Sequence, residues 1–190
     1  MLVSMTENGL FPESRESPAL NADLWVFAYG SLMWNPGFAY SARRKARLVG
    51  WTRRLCIWSH HYRGTPERPG LVFGLDRGGE CHGVAFRVEP LLRAQTMEYL
   101  RKRELISNVY DELEAPAVLD SGESVHVLAY VANAGHPQYA GRLEPTTTLE
   151  IVKGAAGLMG RNVDYVRSTH SELIQLGIPD AELDWLTEQL

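Results

Sequence analysis

The sequence of 190 residues has little of what marks a secreted, membrane-spanning or zinc-binding protein. It contains two cysteines, Cys56 and Cys81, and no CxxC pair, so neither a disulfide framework nor a structural zinc site is predicted. Two free thiols favour a reducing compartment. No segment is apolar enough to cross a membrane, and residues 1–23 lack the basic and apolar regions of a signal peptide. The sequence therefore predicts a cytoplasmic location.

An excess of positive charge is also missing. The formal net charge is -4, and nucleic-acid binding requires a basic surface, so neither nucleic acid nor membrane is the predicted partner. One arginine cluster stands out: Arg43, Arg44, Arg47, Arg53 and Arg54. We interpret it as a solvated strand pair, with binding of an anionic partner as the alternative.

The length of the chain predicts one domain. Residues 24–190 form the predicted domain, and the polar residues 1–23 are interpreted as a flexible N-terminal arm. Docking of Leu10 and Phe11 onto the domain is the alternative. No internal repeat or linker is found.

Alternating and apolar segments predict strands in the first two thirds of the chain. They cover residues 25–29, 46–58, 70–76, 81–88 and 124–131. The segment Arg77-Gly78-Gly79 is predicted to be a hairpin turn between the third and fourth of these strands.

Helices are predicted late in the chain, over residues 90–105, 146–159, 162–176 and 179–190. Asn162 is a candidate N-cap, and Gly177 a C-terminal stop. Strands followed by helices predict an α+β fold with a mainly antiparallel sheet or barrel.

Glu104 is the most informative single residue. In the predicted helix 90–105 it projects onto the face of Met97 and Leu100, which should meet the core. A carboxylate there is costly unless it is paired or lines a cavity. A buried ion pair with Arg93 or Arg101 is one interpretation. The other is a proton-transfer group whose pKa burial raises.

The segment YGSLMWNPGF (residues 29–38) ends the first predicted strand on a turn of small residues. Ser31 lacks the second glycine of a G-x-S-x-G nucleophile elbow. The backbone N–H groups of residues 30–32 are therefore predicted to bind a carboxylate or an oxyanion. Leu32, Met33 and Trp34 are predicted to wall the pocket or to anchor the turn.

Other candidate sites receive structural interpretations. His60 and His61 are adjacent, so their side chains diverge on an extended segment, and no metal is predicted. His82 is interpreted as a strand residue with satisfied hydrogen bonds. The glycine-rich segment 154–160 lacks the Lys-Ser/Thr of a phosphate-binding loop and predicts close helix packing.

Five segments in order resemble one family. They are YGSLMWNPGF (29–38), WSHHYRGTPERPGLVFGLD (58–76), GVAFRV (83–88), YLRKREL followed by VY (99–110), and GRNVDYV (160–166). Together they are similar to the ChaC family of glutathione-specific γ-glutamylcyclotransferases. The resemblance covers about residues 24–190.

The resemblance implies a small mixed, mainly antiparallel β-barrel with surrounding helices, the γ-glutamylcyclotransferase-like fold. It also implies a lyase that cleaves glutathione to 5-oxoproline and cysteinylglycine without metal, nucleotide or other cofactor. Glu104 matches the family's catalytic acid/base. The implied substrate-binding residues are Tyr29, Gly30, Ser31, Leu32, Arg63 and Tyr165. Two alternatives stay open: another γ-glutamyl amine or peptide as substrate, and a non-catalytic γ-glutamyl-binding module.

Overall fold

Five strands form a closed barrel in a computed structural model that describes residues 22–190. They are β1 (Leu24–Ala28), β2 (Ala42–Ser59), β3 (Gly70–Val88), β4 (Tyr110–Leu119) and β5 (Ser124–Ala132). Their order in the barrel is β1-β3-β2-β4-β5. Only β1 and β5 pair in parallel, and the other neighbours are antiparallel. The predicted small mixed, mainly antiparallel barrel is therefore confirmed.

Helices surround this barrel: α1 (Pro90–Glu104), α2 (Pro145–Gly154), α3 (Asn162–Leu176) and α4 (Ala181–Gln189). Helix α1 connects β3 to β4 and begins with a proline, where the missing N–H costs no intrahelical hydrogen bond. Helix α3 ends at Leu176, and Gly177 after it adopts a left-handed conformation, which confirms the predicted C-terminal stop. Within residues 22–190, no helix combines the length and the apolar character that a membrane span requires.

The core is formed mainly by apolar side chains of the barrel strands. Phe27 of β1, Phe86 of β3 and Leu128 of β5 are all fully buried or nearly so. Burying one such side chain contributes about 2 kcal/mol to folding. Because β1 contacts both β3 and β5, four of its five residues are buried, and its end is held firmly where residues 29–32 begin.

The predicted hairpin turn at Arg77-Gly78-Gly79 is wrong. Strand β3 continues through these residues and pairs with β2 on both sides of Gly78 and Gly79. Gly50, Gly78 and Gly79 all have positive φ, and the register shifts between Val49 and Trp51. The glycines therefore form an irregularity in a long two-stranded ribbon. The connection between β2 and β3 is the loop over residues 60–69 instead.

The predicted helix over residues 146–159 ends early. Helix α2 stops at Gly154, and the two short strands β6 (Ala156–Gly157) and β7 (Gly160–Arg161) pair antiparallel. A Cβ on Gly157 would lie 2.6 Å from the carbonyl oxygen of His61 and 2.7 Å from the backbone nitrogen of Gly64. The close packing of this glycine-rich segment is therefore with the 60–69 loop, not with a helix.

The strand β4 was not predicted as a separate element, although it contributes one side of the barrel. The structure does not describe residues 1–21, so most of the predicted N-terminal arm, including the docking of Leu10 and Phe11, lies outside the described residues. Asp23, at the end of that segment, forms an ion pair with Arg87. The division into arm and domain stays a prediction.

The arginine cluster is only partly solvated. Arg53 is 8% exposed and donates hydrogen bonds to the carbonyl oxygens of Tyr29 (2.6 Å) and His82. It also pairs with Asp180, at 2.8 Å. A buried cation is costly unless it is paired, and each of the three guanidinium nitrogens of Arg53 has an acceptor in this network. Arg53 thereby fixes the end of β1.

The prediction that Asn162 is the N-cap of α3 is wrong. Asn162 is the first residue of the helix, fully buried, and its amide binds β3 instead. The side-chain oxygen accepts the N–H of Leu71 and the side-chain nitrogen donates to the carbonyl of Leu71, both at 2.7 Å. This pair of hydrogen bonds attaches α3 to the barrel.

Candidate active site

A cavity lies where the end of β1 meets the end of α1. Its empty volume is about 370 Å³, part of it open to solvent. The cavity is lined by Phe27, Tyr29, Gly30, Ser31, Leu32, Phe73, Glu104, Tyr110, Tyr130 and Tyr165. Six of the seven predicted site residues are in this set.

The turn after β1 presents backbone N–H groups. Residues Ser31–Met33 form one 3₁₀ turn. The N–H of Met33 donates to the backbone carbonyl of Gly30 (2.9 Å), and the N–H of Asn35 donates to the backbone carbonyl of Ser31 (2.8 Å). Among residues 22–190 we find no protein acceptor for the N–H groups of residues 30–32. These donors can bind an anion. Leu32 lines the cavity, whereas Met33 is buried and Trp34 packs against the core.

Glu104 ends α1 and is the carboxylate of the cavity. Its Oε1 lies 3.0 Å from Nε of Arg103, and its side chain is 17% exposed. Burial raises the pKa of Glu104, and the positive charge and hydrogen bond of Arg103 oppose that rise. The ion pair predicted with Arg93 or Arg101 is not the one observed, because Arg101 binds Glu112. A carboxyl with a raised pKa suits proton transfer near neutral pH.

Arg103 connects Glu104 to the turn after β1. Its guanidinium donates to Oγ of Ser31 (3.1 Å) and to the carbonyl of Asn35 (2.7 Å). The hydroxyl of Ser31 is thus an acceptor for Arg103, which gives this side chain a role other than nucleophile. We did not predict Arg103 as a site residue. Its position directly before Glu104 is the signal that could have indicated it.

The second half of the segment YGSLMWNPGF also docks on α1. Gly37 has a φ of +74°, and a Cβ there would lie 2.0 Å from the hydroxyl oxygen of Tyr99. The same hydroxyl accepts from Arg103, at 3.0 Å. A glycine is required at this position both for its conformation and for the close approach. The turn is therefore fixed to the helix that carries Glu104.

Four tyrosines line the cavity, and burial raises the pKa of each phenol. The hydroxyl of Tyr29 donates to the carbonyl of Tyr130, and that of Tyr110 to the carbonyl of Phe73, both at 2.8 Å. The hydroxyl of Tyr165 accepts the N–H of Phe73, at 3.1 Å, and so keeps its own proton for a ligand. Tyr110 and Tyr130 were not predicted as site residues. Tyr110 belongs to the VY pair of the fourth family segment, which is the signal that could have indicated it, whereas Tyr130 in its strand gives no signal beyond core packing.

Arg63 lies just outside the lining set. Its guanidinium is 5.2 Å from the centroid of the Tyr165 ring, so it adjoins the cavity through that side chain.

In the part of the chain that the structure covers, no group of three His, Cys, Asp or Glu residues could hold a metal ion. His82 is exposed and bonded to Glu80, at 2.9 Å.

The fold matches that of solved cyclotransferases. The crystal structure of a γ-glutamyl cyclotransferase specific to glutathione from yeast superposes with a TM-score of 0.81, covering 89% of this chain and 96% of the yeast chain. The sequence identity is 23%, so this likeness concerns the fold. The protein thus has the γ-glutamylcyclotransferase-like fold.

The sequence comparisons define the family. A family model for ChaC-like proteins matches residues 24–190, and this chain belongs to that family. The glutathione-specific γ-glutamylcyclotransferase of Escherichia coli is 34% identical over 161 residues, which are 85% of this chain and 70% of the relative. The human glutathione-specific γ-glutamylcyclotransferase 1 is 31% identical over 183 residues, 94% of this chain and 81% of the relative.

Proposed function

We propose that this protein is a γ-glutamylcyclotransferase that converts glutathione to 5-oxoproline and cysteinylglycine. The observation that carries the proposal is Glu104, a largely buried carboxyl with a raised pKa beside a turn of free backbone N–H groups. The names of the bacterial and human relatives support glutathione as the substrate. The products are those of a lyase, because no water is consumed.

The substrate supplies its own nucleophile. The α-amine of the γ-glutamyl group attacks the γ-carbonyl carbon, and a five-membered lactam closes as the new C–N bond forms. The C–N bond to the cysteinyl nitrogen then breaks. Because both reacting groups belong to one molecule, most of the entropy of bringing them together is already supplied. No serine or cysteine nucleophile is required, in keeping with the bond from Arg103 to Ser31.

Glu104 moves the proton that this reaction must transfer. The α-amine is mainly protonated at neutral pH and is then not nucleophilic. The carboxylate of Glu104 takes a proton from the α-ammonium group, which frees the nucleophile, and gives it to the departing cysteinyl nitrogen. The attacking nitrogen loses a second proton when it becomes the lactam N–H, and this proton goes to solvent or to the released amine. The proton count is balanced, and Glu104 returns to its starting state.

The remaining site residues bind the substrate in this proposal. The backbone N–H groups of Gly30, Ser31 and Leu32 can receive either of two anions, the α-carboxylate of the substrate or the oxyanion of the tetrahedral intermediate. The phenol of Tyr165 is a further donor, because its oxygen already accepts from Phe73. Tyr29 contributes its ring to the wall of the cavity.

We also place this activity in the cytoplasm. The support is that Cys56 and Cys81 are both free and buried thiols, which suits a reducing compartment. Burial raises the pKa of Cys56 to about 12, so this thiol is not reactive at neutral pH.

A product assay tests the proposal. The purified full chain is incubated with reduced glutathione, and 5-oxoproline and cysteinylglycine are quantified by mass spectrometry. The expected result is catalytic release of both in a 1:1 ratio. A γ-glutamyl amine in a parallel reaction measures the breadth of the substrate class. Binding of glutathione without product after long incubation would contradict the proposal and favour a binding module.

A further inference from the structure

Arg63 is held in place through only part of its guanidinium. Its Nη1 donates to the carbonyl oxygens of Met159 and Arg161, the second at 3.4 Å. Its backbone N–H donates to Oγ of Ser59, at 3.0 Å. Within residues 22–190, Nε and Nη2 of Arg63 make no hydrogen bond to protein. One edge of the guanidinium thus has a fixed position and free donors.

The charge of Arg63 is also not balanced by a direct partner. None of the ion pairs found among residues 22–190 includes it. Arg53 and Arg103, in contrast, each contact a carboxylate. Partial burial lowers the pKa of Arg63, and electrostatic interactions with Tyr165 and Asp164 oppose that shift, although Asp164 forms no direct ion pair with it. An arginine of this kind is suited to bind a carboxylate from a ligand.

The tethers of Arg63 are rigid before any ligand arrives. The hairpin of β6 and β7 donates two backbone hydrogen bonds to the 60–69 loop, from Leu158 to His61 and from Met159 to Tyr62, both at 2.9 Å. Gly157 packs against the same loop without room for a Cβ. Binding a ligand then costs little ordering of this arginine, which favours affinity.

Arg63 adjoins the cavity through Tyr165, within reach of a short peptide bound there. Its guanidinium carbon lies 5.2 Å from the centre of the ring of Tyr165, which is one of the residues that line the cavity. Two residues of extended peptide span about 7 Å. A substrate whose γ-glutamyl group occupies the cavity can therefore extend a further dipeptide past Tyr165 to Arg63.

We propose that Arg63 binds the C-terminal carboxylate of the substrate and thereby selects γ-glutamyl peptides over γ-glutamyl amines. This inference rests on the proposed function, since it assumes that the γ-glutamyl group lies beside Glu104. It defines the substrate class as peptides with a free carboxylate two residues beyond the γ-glutamyl carbonyl. Glutathione belongs to this class.

The test compares glutathione with glutathione amide, in which the C-terminal carboxylate is replaced by a carboxamide. For the wild type we expect kcat/KM to be roughly tenfold or more higher on glutathione, because a charge-assisted hydrogen bond is lost on the amide. Arg63→Gln should lower kcat/KM on glutathione by a similar factor and change it little on the amide. Arg167→Gln, which removes a charge from the exposed face of α3, should match the wild type on both substrates.

Several outcomes overturn the inference. Equal rates of the wild type on the two substrates would contradict it, even if Arg63→Gln failed to fold. An equal loss on both substrates in Arg63→Gln would assign Arg63 a purely structural role. Calorimetric Kd values for both compounds are measured on the same samples. If no 5-oxoproline forms, the proposed function fails, whereas the ratio of the two Kd values still supports or overturns the assignment of Arg63.

Discussion

Two arginines flank the candidate active site, and their surroundings are opposite. Arg103, at the end of α1, contacts the carboxylate of Glu104, the hydroxyls of Ser31 and Tyr99, and backbone carbonyls. Arg63, on the 60–69 loop, contacts two carbonyls and one aromatic ring and has no carboxylate partner among the described residues. All three nitrogens of the Arg103 guanidinium have protein acceptors, whereas within residues 22–190 only one of the three in Arg63 has any.

The difference separates two tasks. An arginine whose three nitrogens all have protein acceptors fixes the relative positions of the groups around it. An arginine with free donors and a fixed position can bind a ligand. We therefore assign Arg103 to positioning of Glu104 and the turn after β1, and Arg63 to the far end of the substrate.

The largest effect in this comparison is expected for Arg103→Gln. This change removes the charge and several hydrogen bonds that hold the turn against Glu104, and a displacement of about 1 Å can cost roughly 100-fold in rate. We expect kcat/KM for glutathione to fall by about that factor. Lys102→Gln, which removes a charge from the neighbouring exposed position, is the matched control. Activity within threefold of the wild type would contradict the positioning role.

The pH–rate profile provides the readout that a purely structural role of Arg103 would not change. In the proposed mechanism the reaction needs the Glu104 carboxylate, and burial raises the pKa of this group above the ordinary value of 4.5. Activity should therefore fall as the pH decreases through that raised pKa. Because Arg103 lowers the pKa of Glu104, Arg103→Gln should move this acid limb to higher pH. Arg63→Gln should leave the limb unchanged.

The next effect concerns the attachment of helix α3, which carries Tyr165, to strand β3. Asn162→Ala removes both hydrogen bonds to Leu71 and leaves a buried N–H and a buried carbonyl unsatisfied. We expect the free energy of unfolding to fall by about 3 kcal/mol. Urea unfolding measures this change, and Gln175→Ala on the exposed face of α3 is the control, expected within about 0.5 kcal/mol of the wild type. An equally stable Asn162→Ala protein would contradict the anchoring of α3.

The smallest effects are expected in the hairpin of β6 and β7. Gly157→Ala places a Cβ against backbone atoms of His61 and Gly64, so the loop that carries Arg63 must shift. We expect roughly a tenfold loss of kcat/KM for glutathione. Leu158→Ala, at the adjacent exposed position, should change kcat/KM less than about twofold. Equal activities of the two variants would show that the hairpin does not position Arg63.

Local sequence patterns predicted part of this structure. The helix over residues 162–176 and an α+β fold with a mainly antiparallel sheet or barrel follow from periodicity and helix end signals. The small mixed barrel and the catalytic role of Glu104 came from the family resemblance, because the apolar helix face alone left a buried ion pair open as the alternative. The glycines at 78 and 79 misled the prediction, since positive φ serves an irregular strand as well as a turn. Strand β4 was missed because its acidic residues and Pro116 obscure the alternation.

The site depends on contacts that no local pattern contains. Arg103 reaches Ser31 across 72 positions, and Asn162 reaches Leu71 across 91. Each residue looks ordinary in its own segment: an arginine in the last turn of a helix, and an asparagine at a helix start. Their roles arise only when the barrel brings distant segments together, so they required the structure.

The most direct test of the account is Glu104→Gln, which keeps the shape of the side chain and removes its ability to exchange a proton. We predict that 5-oxoproline formation from glutathione falls by about 1,000-fold. The calorimetric Kd for glutathione should stay within a few-fold of the wild type, and Glu98→Gln, on the exposed face of the same helix, should remain fully active. A Glu104→Gln protein that forms 5-oxoproline at the wild-type rate would contradict the central claim.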